Sequence, residues 1–74
     1  MSRLPVVKGD QVVEALKRAG FSILRIKGSH HVVGHDDGRR TVVPVHRGKD
    51  IKRGLLRKII DDAELTVEEF TDRL

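Results

Sequence analysis

Two turn signals constrain the fold of this chain more than any other feature. Gly28-Ser29 and Asp36-Asp37-Gly38 divide its middle into three short runs rich in β-branched residues: Phe21 to Ile26, His30 to His35, and Arg39 to Val45. Gly38 supplies the positive φ that a tight hairpin needs. Turns this short leave no room for a crossover, so neighbouring runs must pair antiparallel. The expectation is a three-stranded meander. Pro44 has no N–H to give a ladder and belongs at an edge or a strand end.

Helical patterns flank the meander. Met1 to Val7 is expected to be extended, because Pro5 disfavours a helix at Leu4. Lys8-Gly9-Asp10 then opens a helix, with Gly9 or Asp10 near the N-cap and Glu14 in the early turns. Val12, Val13, Leu16 and Ala19 share one face of it. Lys17 and Arg18 suit the negative end of its dipole, and Gly20 suits a left-handed residue just past its end. After the strands comes a basic loop, His46-Arg47-Gly48-Lys49, with Asp50 placed to cap a second helix. Ile51, Leu55, Leu56, Ile59, Ile60 and Ala63 carry the strongest helical periodicity in the chain, and Lys52, Arg53, Arg57 and Lys58 lie off that stripe. Gly54 inside it costs roughly 1 kcal/mol relative to alanine; close approach of another backbone would explain it. Thr66-Val67-Glu68-Glu69 is a capping-box pattern for a short last helix, with Val67 and Phe70 as packing residues. The fold class is therefore α+β, in the order α-β-β-β-α with a short third helix, as one domain over residues 1–74.

Composition narrows the function classes. A chain of 74 residues buries a modest core. It has no cysteine to staple it or to ligate a metal as thiolate. No apolar run is long enough to span a bilayer, and no signal-peptide pattern follows Met1, so a soluble cytoplasmic protein is expected. Charge is unevenly spread: residues 1–58 carry 14 Lys/Arg against 5 Asp/Glu, whereas residues 59–74 carry 1 against 6. A basic body points to an anionic partner, although charge of this kind also simply solvates small domains. Two phenylalanines and no tryptophan or tyrosine argue against base-stacking platforms. A nucleic-acid partner would have to be held by phosphate charge, shape and polar contacts.

The chemistry concentrates in Lys27-Gly28-Ser29-His30-His31. Strand neighbours point to opposite faces, so His30 and His31 cannot both face one site. With His35 and His46 elsewhere, no spacing matches a metal centre, and no cofactor is expected. RNA cleavage needs no metal. The 2′-hydroxyl is the nucleophile; a base must take its proton, an acid must protonate the leaving 5′-oxygen, and cations must stabilise charge on phosphorus. Histidine, with an unperturbed pKa of about 6.5, suits either proton transfer. Lysine supplies charge, and backbone N–H groups of a Gly-Ser turn can face a phosphate oxygen. A Gly-Ser turn before a histidine is by itself an ordinary surface feature.

In combination these pieces resemble the HicA toxin family, also met under the YcfA-like label, over nearly the whole chain. The residues that carry the resemblance are Gly20-Phe21 at the end of the first helix, Lys27-Gly28-Ser29-His30, Val43-Pro44-Val45-His46 and Gly54-Leu55-Leu56 with Ile59 and Ile60. Leu55 stands where threonine is frequent in that family, and Glu64 where glycine often closes the second helix. The resemblance implies a double-stranded-RNA-binding-like fold and a ribonuclease acting on mRNA as the toxin of a toxin–antitoxin pair, blocked by a HicB antitoxin. It also implies that His30 is catalytic.

On that reading His30 is the general acid or base, Lys27 stabilises phosphate charge, and Gly28-Ser29 shapes the turn and offers polar contacts. His46, His31 or water would move the second proton. Arg25, Lys49, Lys52 and Arg53 are candidate phosphate contacts, each equally readable as a solvated cation, and His35 is read as structural or solvent-exposed. Two other functions fit the same residues: a non-catalytic double-stranded RNA-binding module, with basic residues at the start of the second helix on phosphates, and an interaction subunit whose basic surface docks an acidic protein.

Overall fold

The computed structural model describes residues 3–74. Its elements are α1 (Gly9–Arg18), β1 (Ser22–Lys27), β2 (His30–Gly34), β3 (Arg40–Pro44), α2 (Arg53–Asp62) and α3 (Val67–Thr71). The α-β-β-β-α order and the antiparallel sheet, β1-β2-β3, are those expected from the turn signals. Each strand begins or ends a residue or so from its expected bound. Of the N-terminal stretch expected to be extended, Met1 and Ser2 lie outside the described residues.

Pairing across the strands fixes which face is covered. Val33 pairs with Ile23 and Thr41, and His31 with Val43. Directly paired residues share a face. Val33, Thr41 and Val43 are buried, so this is the face beneath the helices. The other face carries Arg25, Val32 and Val42, with Leu24 over Gly34 at a bulge in β1; Leu24 and Val42 remain about half exposed. Under the helices the core centres on Leu16, Phe70, Leu56, Ile59 and Ile60, all fully buried. Burying a side chain such as Phe70 contributes about 1.5–3 kcal/mol. Both phenylalanines are spent on this interior, so neither can stack on a base.

The helix ends follow their local chemistry. Lys8 is the N-cap of α1, one residue before the expected cap, and its N–H donates to Gln11 Oε1 at 2.8 Å. α1 and α2 both close by the same reciprocal pattern. Phe21 N–H donates to Leu16 O and Gly20 N–H to Lys17 O; Leu65 N–H donates to Ile60 O and Glu64 N–H to Asp61 O. The residue at the turn must be left-handed: Gly20 has φ +96° and Glu64 φ +57°. Thr66 and Glu69 form the expected capping box on α3, with bonds of 3.0 and 2.8 Å.

Two sequence expectations for α2 are corrected. Asp50 does not cap it. The N-cap is Lys52, and Asp50 instead bridges to Lys8, whose Nζ lies 3.5 Å from its carboxylate. Ile51 donates its N–H to Val7 O at 2.8 Å, which holds the chain extended and starts the helix at Arg53. Nor does a backbone approach Gly54, because a Cβ there would meet nothing within 4 Å. The close approach is at Gly9, where a Cβ would lie 2.4 Å from Pro44 O and 2.9 Å from Val45 Cα. α1 thus starts directly against the end of β3.

Candidate active site

The β1–β2 turn is two residues long. Gly28 takes φ +59° and a Cβ there would meet nothing within 4 Å, so its role is conformational. Lys27 and His30 flank the turn as cross-strand partners, and His30 pairs in turn with Pro44. The ladder runs one step beyond β3, since Val45 N–H donates to Ser29 O at 2.7 Å. His31 Nδ1 lies 3.4 Å from the same carbonyl, and the Ser29 hydroxyl lies 3.5 Å from His46 Nε2. The turn is therefore tied to the chain leaving β3, and His46 is brought beside it.

The two adjacent histidines separate as strand alternation requires. His31 is half-buried on the covered face, in a hollow it shares with Asp10, Val13 and Glu14 of α1. His30 is exposed. It lines a depression of about 440 Å³ with Arg40, Val42, Pro44, Leu55 and Lys58. A second depression of about 470 Å³ shares Pro44 and Leu55 and adds His46, Lys49, Ile51 and Lys52. Together they form a groove with β3 as one wall and α2 as the other.

The field in this groove is positive. Its two carboxylates are already engaged. Asp62 accepts from Lys58 Nζ at 2.9 Å and from Thr41 Oγ1 at 3.0 Å, and these bonds, Lys58 first, hold its carboxyl below the ordinary range. Asp50 faces Lys8. Arg40, Lys49 and Lys52 are exposed. The N-terminus of α2 has no side-chain cap and no acidic residue in its first turn, so the positive end of its dipole adds to the lysines. Anions are favoured here, and an apolar floor of Pro44, Ile51 and Leu55 lies between the charges. Among the described residues, no three His, Asp or Glu side chains gather closely enough to hold a metal ion.

The candidates read from sequence divide accordingly. Lys27, Gly28, Ser29 and His30 stand together, and Lys49 and Lys52 line the groove with His46. Arg25 lies opposite Val32 beside the bulge, and Arg53 is exposed at the first position of α2; neither lines the groove. Sequence reasoning passed over Arg40 and Lys58. Strand alternation could have found Arg40, which shares a face with Pro44, the partner of His30. Lys58 sits three residues past Leu55 on the same side of α2, a relation visible only once Leu55 is known to face the groove.

A model of the protein family described as the HicA toxin of bacterial toxin–antitoxin matches residues 9–65. That span holds both turns, all three strands, α2 and the groove. No curated protein matches the chain. No helix among the described residues is long and apolar enough to cross a membrane.

Proposed function

The chain belongs to the HicA toxin family of toxin–antitoxin systems, and from that premise we propose that it is a metal-independent ribonuclease that cleaves mRNA in the cytoplasm. A HicB-like antitoxin holds it inactive by covering the groove. His30 moves a proton in the reaction. Lys27, its cross-strand partner, stabilises charge on the phosphate, and Gly28-Ser29 shapes the turn that presents both. Lys49, in the loop before α2, and Lys52, the α2 N-cap, bind flanking phosphates.

One observation carries this reading. His30 is an exposed imidazole at the rim of a cationic groove whose carboxylates are already neutralised by lysines. An RNA chain brings one negative charge per phosphodiester to these cations, and an exposed imidazole beside them is suited to moving a proton. Arg25 and Arg53 lie off the groove and meet more distant phosphates.

Expression of the chain without an antitoxin tests the proposal. The parent should arrest growth of a bacterial host and deplete mRNA, and His30→Ala should do neither. A parent that is harmless and leaves purified RNA intact would remove the ribonuclease reading. Tight, salt-sensitive duplex binding unchanged by His30→Ala would favour a non-catalytic RNA-binding module instead.

A further inference from the structure

Resting on the ribonuclease reading above, we propose that His46 is the second proton-transfer residue, acting with His30 on opposite sides of one RNA phosphodiester. The ladder geometry leads to it. His30 pairs with Pro44, and the Val45–Ser29 bond continues the register past the end of β3. His46, two residues past Pro44, thus leaves β3 beside the turn that presents His30. Pro44 lies between them and belongs to both halves of the groove, with His30 in one half and His46 in the other. A proton-transfer group must come within about 2.6–3.2 Å of its oxygen. Pro44, shared by the two depressions, is where the phosphorus is seated in this arrangement, with one imidazole toward the attacking 2′-oxygen and the other toward the leaving 5′-oxygen.

The remaining histidines do not compete. His31 is on the covered face against α1, and His35 is at the far end of the sheet, stacked on Phe21. Ser29 adds a second support, because its hydroxyl meets His46 Nε2 at 3.5 Å and so ties that ring to the turn that presents His30. Lys49, Asp50 and Lys52 face His46 within the groove, and Arg40, Lys58 and Asp62 face His30. Both carboxylates are held by lysines, so no free carboxylate beside either ring offers an alternative acid.

The step balances without a co-reactant. The 2′-oxygen forms a bond to phosphorus as one imidazole takes its proton. The P–O5′ bond breaks as the other imidazolium gives a proton to the 5′-oxygen. The products are a 2′,3′-cyclic phosphate and a 5′-hydroxyl, and the two histidines end with their protonation states exchanged.

The test is cleavage of a short RNA by the parent, His30→Ala and His46→Ala between about pH 5 and pH 9. The parent should show a bell-shaped pH–rate profile. His46→Ala should lose about 10²–10⁴-fold in kcat with little change in KM, should lose one limb of the bell, and should recover activity when free imidazole is added. His46→Gln, which keeps a polar partner for Ser29, should be as impaired, and circular dichroism of both variants separates this loss from unfolding. A folded His46→Ala or His46→Gln that stays within about threefold of the parent, or that keeps both limbs, overturns the assignment while leaving His30 in place. A parent that cleaves no RNA overturns the ribonuclease reading along with it.

Discussion

The two ends of the sheet carry the same ingredients, a glycine turn, a histidine and basic residues, and use them in opposite ways. At the Asp36-Asp37-Gly38 end everything is tied down. His35 stacks edge-on against Phe21 with ring centroids 5.3 Å apart, and its Nδ1 lies 3.2 Å from the Asp37 N–H and 3.3 Å from the Asp37 carboxylate. Arg39 sits 5.0 Å over the same phenylalanine ring, chelates Asp37 and donates to Ala63 O. At the Gly28-Ser29 end, His30 makes no side-chain hydrogen bond among the described residues, Lys27 is exposed, and the nearby aromatic rings are imidazoles. Residue type does not distinguish the two histidines; what surrounds them does. A ring held by an aromatic neighbour and by a hydrogen bond at Nδ1 supports a fold, and a ring left open beside cations is available to a substrate.

Replacing each histidine in turn is the sharpest way to break that contrast. His30→Ala should lower RNA cleavage by about 10²–10⁴-fold with the melting temperature nearly unchanged. His35→Ala should do the reverse: cleavage near that of the parent, and a loss of about 0.5–1.5 kcal/mol from the aromatic contact, read from a urea melt. Equal effects of the two on cleavage would erase the distinction. Gly9→Ala probes the support of the active end. Its methyl has no room against Pro44 O, so about 1–3 kcal/mol should be lost as α1 and the end of β3 move apart, and cleavage should fall as His46 shifts from the turn.

Acid should loosen the fold through three engaged carboxylates, one at each of the hairpin, the groove and α3. The carboxyls of Asp37, Asp62 and Glu69 are held below their ordinary values, mainly by the Arg39 N–H, the Lys58 ammonium and the Thr66 N–H respectively. Groups with depressed folded-state pKa stabilise the fold above the unfolded carboxylate range, and that contribution is lost as pH falls through the folded values. Melting temperature should therefore drop below about pH 4, and Asp37→Asn should flatten the drop. The smallest expected effects are gains. Gly54→Ala should add up to about 1 kcal/mol, because the site is open and the helix prefers alanine. Glu64→Gly should add about 1 kcal/mol by relieving a left-handed residue at the α2 terminus.

These substitutions also mark what was legible in the sequence. The turns at Gly28 and Gly38 determined the meander, and the 3.6-residue patterns determined α1 and α2, because those signals are local. Gly20 and Thr66 were read correctly for the same reason. Asp50 and Gly54 were misread because their partners lie far along the chain. Asp50 is drawn off the helix by Lys8, and the expected backbone contact falls at Gly9 instead of Gly54. The separation of His30 from His31 followed from alternation alone. The groove did not, since it depends on α2 lying against the outer edge of β3, and Lys58 and Leu55 became neighbours of His30 only through that packing.

The most direct measurement is a comparison of purified parent and His30→Ala proteins, matched by circular dichroism, on one RNA and on the same oligonucleotide with 2′-deoxyriboses. The expected result is cleavage of the RNA by the parent alone, leaving 2′,3′-cyclic phosphate ends, and no cleavage of the deoxy oligonucleotide by either protein. Equal cleavage by the two proteins, or cleavage of the deoxy oligonucleotide, would contradict a histidine acting on the 2′-hydroxyl at this turn.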